Sequence, residues 1–268
     1  MKLAKFFSNH PVFTMEEFEK FMVEQGSGNQ WTRKALLAHH RKQGRILRIR
    51  RGLYAVVPPG VEPHKSPLDP YMIAAKMTND AVLAYHTALE LYGKAYSSYE
   101  HFFFLTKRKS LPLTFLSYQF RCVLFPKILR VKQQENFGVK LGERAGLSVR
   151  VTSLERTLVD VLDRPDLGGG WEEIWRSLES IEFFDLDQVV EYALLLENST
   201  TVAKVGFFLD QHRETLMVDE AHLKPLRKLR PQKPHYMVRS HRSHGRLVKD
   251  WNLVVPPEVL EKTWAEVT

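Results

Sequence analysis

From Gln25 to Val61 the chain contains no Asp or Glu. The same stretch carries Arg33, Lys34, Arg41, Lys42, Arg45, Arg48, Arg50 and Arg51. A solvated surface usually mixes signs, so a one-signed block points to an anionic partner. Other absences narrow the field. A lone cysteine, Cys122, excludes an intrachain disulfide and fits a reducing cytoplasm. Within the apolar run RCVLFP it reads as a small buried hydrophobe. No apolar run reaches bilayer-spanning length, and MKLAKFFSNH lacks the apolar core of a signal peptide, so a soluble cytoplasmic protein is expected. P-loop, HExxH, GxSxG and cysteine-cluster patterns are missing, as are internal repeats and low-complexity tracts.

What is present is unevenly spread. The chain has 268 residues and a net charge of +8. That length suffices for one large domain or two unequal ones. Residues 1–60 hold eleven Lys/Arg against four Asp/Glu, and residues 221–249 hold nine against none. Two basic blocks therefore flank a mildly acidic middle.

In the first sixty residues, Leu3, Phe6 and Phe7 fit a short helix closed near His10-Pro11. Thr14 and Glu17 have capping-box spacing, which starts a second helix burying Phe18, Phe21 and Met22. The segment GSGN interrupts, and Ser27 or Asn29 can cap a third helix running to about Gln43. Gly44 supplies the left-handed residue that ends it. RILRIRRGLYAVV then reads as a β-hairpin around Arg51-Gly52, closed by Pro58 and Pro59. Three helices followed by a hairpin is the order of a winged helix-turn-helix, in which the third helix enters the major groove. Strand alternation puts Arg48 and Arg50 on one face, with Leu47 and Ile49 facing the helices. On the third helix Leu36, Leu37 and His40 turn inward, leaving Lys34, Ala35, Ala38, Arg41 and Lys42 outside. Trp31 fits either a brace at the helix–turn junction or a contact with nucleic acid. His39 and His40 are adjacent helical positions pointing about 100° apart, which argues against a shared metal.

The stretch PPGVEPHKSPLDP predicts an extended linker over residues 61–70, dividing a DNA-binding domain (1–60) from a larger one (71–268). Beyond it, AVLAYHTALELYG predicts a helix ended by Gly93. HFFFLT, YQFRCVLFP and LSVRVT predict strands. TSLERTLVDVLDRPDLGGG opens with Thr152 and Glu155 at capping-box spacing, and WEEIWRSL, LDQVVEYALLLE and TVAKVGFFLDQH continue as helices. GRLVKDWNLVVP reads as one returning strand. Strands first and helices afterwards predict an α+β fold.

The helix–GRILRIRRGLYAV unit, YHTALELYG, VTSLERTLVDVLDRPDLGGGWEE and the terminal WNLVVP, in this order, resemble the AbiEi family of antitoxins from type IV toxin–antitoxin systems. The resemblance runs over nearly the whole chain. It implies a bacterial phage-defence regulator whose winged helix represses its own operon at a double-stranded operator, with inverted repeats expected. The larger domain would counteract a nucleotidyltransferase-like toxin without a tight complex. Carried over by position, DNA contact falls on Arg33, Lys34, Arg41, Lys42, Arg45, Arg48, Arg50 and Arg51. His40 departs from the family pattern, which more often has an apolar residue there.

Catalysis is not expected. Glu155, Arg156, Asp160 and Asp163 cluster on one helix, but Arg156 and Asp160 have the i,i+4 spacing of an ion pair. His235, His241 and His244 lack acidic or cysteine companions, and polar contacts suit them better than zinc. Asp166 with Gly168, Gly169 and Gly170 reads as a loop closing a helix. No cofactor or metal is implied. The second basic block contains Arg227, Lys228, Arg230, Lys233, Arg239, Arg242 and Arg246. It fits a solvated loop, a phosphate-contacting patch or a dock for an acidic toxin surface. A stand-alone transcription factor with a ligand-sensing larger domain is the alternative function.

Overall fold

The N-terminal helices form where the capping residues place them. The computed structural model describes residues 2–26, 29–238 and 245–266. Helix α1 (Lys2–Asn9) stops before Pro11. Helix α2 (Met15–Glu24) opens with the predicted box: Thr14 Oγ1 accepts from the Glu17 amide at 3.2 Å, and Glu17 Oε2 accepts from the Thr14 amide at 2.7 Å. Asn29 caps α3 (Gln30–Lys42), accepting from the Trp31 amide at 2.9 Å. Ser27, the other candidate cap, lies outside the described residues. Gly44 follows at φ +69°, where a Cβ would be strained. Strands β2 (Ile46–Arg50) and β3 (Leu53–Val56) make the hairpin. A short strand not foreseen in the sequence, β1 (Val12–Thr14), completes an antiparallel sheet in the order β1-β3-β2. Phe6, Phe13, Phe18, Leu37 and Ile46 form the core beneath it. This is a winged helix-turn-helix.

The opposite face of that small sheet does not meet water. Val12, Ile49, Leu53 and Ala55 share one core with Leu68, Met72, Ile73, Met77, Phe102 and Phe104 of the larger part. Leu47 packs against the same cluster. The expectation that Leu47 and Ile49 face the helices is therefore corrected. The sheet lies between two apolar layers, so alternation sorts the residues into faces without saying which layer each face meets. A register shift between Arg48 and Arg50 further breaks the alternation expected for that pair. Two polar contacts reinforce the junction. Arg50 Nη2 donates to the Met77 carbonyl, and Lys76 Nζ lies 2.5 Å from Glu17 Oε1.

The larger part begins with α4 (Pro70–Ala75), capped by Asp69, then β4 (Val82–Leu83), α5 (His86–Leu91), β5 (His101–Thr106), β6 (Leu113–Phe115), β7 (Tyr118–Leu124) and α6 (Lys127–Val131). Strands β8 (Val139–Arg144) and β9 (Leu147–Thr152) form a hairpin that completes a six-stranded mixed sheet, ordered β6-β7-β5-β4-β9-β8. Leu83, Phe104, Phe120 and Val151 point to the core shared with the winged helix. Val82 and Leu105 point to the main core on the other face. Helices α7 (Leu154–Asp163), α8 (Trp171–Glu179), α9 (Leu186–Leu195), α10 (Ser199–Gln211) and α11 (Glu220–Leu229) pack there. Strands then helices is the predicted α+β order.

Three local expectations are corrected. The segment AVLAYHTALELYG is helical only from His86, because its start pairs into the sheet as β4 between β5 and β9. Helix α7 is capped by Ser153, which accepts from the Arg156 amide at 3.3 Å, while Thr152 Oγ1 pairs with Thr157 Oγ1 at 2.7 Å. The segment GRLVKDWNLVVP contains two strands, β11 (Arg246–Val248) and β12 (Leu253–Val255), the latter also pairing with β10 (His235–Tyr236). Asn252 turns the chain between β11 and β12 at φ +46°, a left-handed position asparagine tolerates. Helix α12 (Pro257–Glu261) follows.

Candidate nucleic-acid interface

Helix α3 divides as its periodicity predicts. Leu37 and His40 are buried, Arg33 and Leu36 half-buried, and Trp31, Lys34, Ala35, Ala38, Arg41 and Lys42 exposed. The His40 ring lies edge-on to Phe7, with centroids 5.3 Å apart. Burial, assisted by the Arg45 charge, pushes the His40 pKa down. A neutral imidazole thus fills the inward position, and the departure at His40 leaves the inner face intact.

On the outer face, Lys34, Ala38 and Arg41 line a shallow groove of about 140 Å³ together with Met15, Leu37 and Tyr54. Arg48 pairs in register with Tyr54 on the hairpin. One side of the winged helix therefore gathers Lys34 and Arg41 from α3 with Arg48 from β2, three exposed cations. The chain supplies no carboxylate anywhere from Gln25 to Val61 to neutralise them. Cations spaced over a helix and an adjoining hairpin suit the phosphate rows bordering a groove, and small side chains between them permit close approach to bases.

The remaining predicted contacts are dispersed. Lys42 and Arg45 are exposed at the end of α3, where Arg45 lines a different, mostly apolar groove with Phe7, His40 and Pro58. Arg51 is exposed at the hairpin turn, which the Met15 amide ties down by a 2.8 Å bond to Gly52 O. The hairpin is accordingly short and held against α2. Arg33 is half-buried. Arg50 stands apart, committed to the Met77 carbonyl. Trp31 is 81% exposed, and among the described residues its ring meets the Lys34 ammonium, 5.9 Å from the centroid.

In the second basic block, Arg227 pairs with Glu220 and lies over the Trp251 ring, 5.4 Å from its centroid. Arg246 pairs with Glu261 at 3.0 Å. Lys228 and Lys233 are exposed and Arg230 is half-buried. Arg239 and Arg242 lie outside the described residues, as do His241 and His244. His235 Nδ1 makes a polar contact of 2.6 Å with Thr200 Oγ1.

The acidic cluster on α7 is occupied by structure. Arg156 Nε lies 3.3 Å from Asp160 Oδ2, Tyr192 donates to Asp160 Oδ1 at 2.7 Å, and Arg156 Nη1 donates to the Glu135 and Phe137 carbonyls. Asp163 accepts from Thr201. Arg164 pairs with Asp166 at 3.1 Å beside the glycine loop. A second buried cluster left no local signal in the sequence. His86 Nε2 and Glu173 Oε1 meet at 3.0 Å, although they are far apart in the chain. Burial raises the Glu173 pKa, but hydrogen bonds from His86 and Ser97 outweigh it and hold the carboxyl down at about 2. Among the described residues no group of His, Cys, Asp and Glu could hold a metal ion, and no helix is long and apolar enough to cross a membrane.

Fold and surface together define a winged-helix protein with exposed cations on α3 and its hairpin. Residues 1–57 match the family described as transcriptional regulator, AbiEi antitoxin. That match supports a DNA-binding antitoxin in general terms and covers the unit bearing the cationic face. The chain is similar in fold to the RV2827C protein of Mycobacterium tuberculosis, known from a crystal structure. The TM-score is 0.61 at 18% identity, covering 99% of this chain and 94% of that one. No curated protein matches the chain.

Proposed function

We propose that this protein is the DNA-binding repressor and antitoxin of a type IV toxin–antitoxin system in the bacterial cytoplasm, and that it acts without catalysing a reaction. The winged helix binds the operator of its own operon, and the larger domain counteracts a nucleotidyltransferase-like toxin. The observation that carries the reading is the joint exposure of Lys34, Arg41 and Arg48 on α3 and its hairpin, within the segment that matches the family. Dispersed surface charge would not concentrate on the element that enters the major groove.

The test has two arms, both on the full chain. In the first, binding to the duplex upstream of its own gene is compared with binding to a scrambled duplex. Tighter binding to the former supports the repressor role, and equal or absent binding refutes it. In the second, the chain is co-expressed with the product of the adjacent gene, and restored growth supports the antitoxin role. Growth arrest unaffected by a soluble chain refutes it.

A further inference from the structure

Trp31 is the most exposed aromatic side chain among the described residues, at 81%. An indole left bare in the free protein forgoes a large apolar burial, which a partner surface can recover. Its position specifies that partner. Trp31 sits in the first turn of α3, and Ala35 and Ala38 follow at i+4 and i+7, both exposed. These spacings lay Trp31, Ala35 and Ala38 along one strip of the helix. Lys34 and Arg41 stand on the same outer face.

An apolar strip edged by cations complements a surface with an apolar floor and anionic rims. The major groove has that form where thymine 5-methyl groups line it between two rows of phosphates. A second copy of the chain is a poorer fit, because it would bring Lys34 and Arg41 against like charges with no carboxylate from Gln25 to Val61. The first residues of a recognition helix are also those that reach base edges.

We propose that Trp31, aided by Ala35 and Ala38, reads thymine methyl groups in the major groove and is a specificity-determining residue. This rests on the DNA-binding role proposed above.

The experiment separates the two. Full-length protein selects duplexes from a randomised pool, and in the best binder each thymine is replaced in turn by uracil, which pairs identically but lacks the methyl. Affinity is measured by fluorescence anisotropy for the wild type, Trp31→Ala and Trp31→Phe. Losing a contacted methyl is expected to weaken the wild type roughly three- to fivefold at one or two thymines. The same replacement leaves Trp31→Ala unaffected, and Trp31→Phe retains part of the response. The inference is overturned if uracil costs nothing anywhere, or costs the same with and without the indole. It also falls if Trp31→Ala changes the sedimentation of the free chain, since the strip then joins copies. Enrichment of duplexes indifferent to Trp31 leaves DNA binding standing and removes only the methyl reading. No enrichment at all removes both.

Discussion

The chain has two basic blocks, and the fold treats three cations of the first and two of the second in opposite ways. Lys34, Arg41 and Arg48 stay exposed on a face whose sequence neighbourhood offers no acid. Arg227 and Arg246 lie in a block equally free of acids, yet each finds one from elsewhere, Glu220 just before the block and Glu261 after it. Arg227 also lies over Trp251, a fully buried ring. A run of like charge thus marks a binding surface only where the fold brings no counter-charge to it. The first block retains a field able to attract phosphates; in the second, Arg227 and Arg246 are used in holding α11 and the C-terminal strands in place.

The largest effect is expected where the charges are open. Replacing Lys34, Arg41 and Arg48 together by Ala should weaken binding to the upstream duplex by about two orders of magnitude near physiological salt. The slope of log affinity against log salt should become shallower by about 0.9 per phosphate contact removed. An unchanged slope would show that these cations face something other than phosphates. Arg227 and Arg246 changed to Ala should leave both quantities where they were.

Arg50 provides the next test, because it belongs to the first block in sequence and behaves like the second in structure. Its Nη2 donates to the Met77 carbonyl, and its Nε is buried without a partner. Arg50→Ala should cost about 1–3 kcal/mol of stability by thermal or urea unfolding, the range for stranding a buried polar group. Its DNA salt slope should stay as in the wild type. Arg48→Ala should do the reverse, with stability unchanged and the slope shallower by about one unit. Equivalent behaviour of the two variants would dissolve the distinction between open and committed cations.

How much of this was legible in the sequence follows the range of the interactions. The capping box at Thr14 and Glu17, the end of α3 at Gly44, the hairpin around Arg51-Gly52 and the outer face of α3 depend on residues close in sequence, and all were read correctly. The burial of His40 followed from helical periodicity alone. The orientation of Leu47 and Ile49 was misread because both layers flanking the sheet are apolar. The diversion of Arg50 to Met77, the cluster of His86 with Glu173 and the pairing of Arg246 with Glu261 are created by chain segments meeting in the fold. Composition and spacing carry no trace of them. The cap of α7 was placed one residue early because Thr152 and Ser153 both qualify chemically, and the Thr152 hydroxyl is taken by Thr157.

Within the second block, Arg227→Ala should lower stability by about 1 kcal/mol, combining a partly exposed ion pair with a cation–ring contact. The value is smaller than for Arg50 because Glu220 is well exposed and water screens the pair. Thermal unfolding checks it, with Lys233→Ala as the control expected to shift nothing. A loss of DNA affinity in Arg227→Ala without a loss of stability would move that residue to the binding class.

The smallest expected effect concerns the seam where the winged helix meets the larger part. Burial pushes the Glu17 carboxyl up, but the hydrogen bonds from Lys76 and the Thr14 amide, with the Lys76 charge, prevail and hold its pKa below the usual value. A carboxylate with a depressed folded-state pKa adds stability above its unfolded pKa and loses it as pH falls through the folded one. The contribution of Glu17 is therefore complete at neutral pH and disappears on acidification below about pH 4.5. The wild type should melt above Glu17→Gln at pH 7, and the gap should close as pH falls through the lowered folded-state pKa of Glu17. Because the Glu17 side chain is 38% exposed, the gap should also narrow in high salt. Lys76→Met tests the seam separately from the helix cap, since it removes the ammonium while Thr14 still bonds Glu17. If Lys76→Met melts like the wild type at every pH, the acid-sensitive part of Glu17 belongs to the cap of α2 alone. The seam would then rest on Arg50 and the apolar residues around Ile49 and Met77.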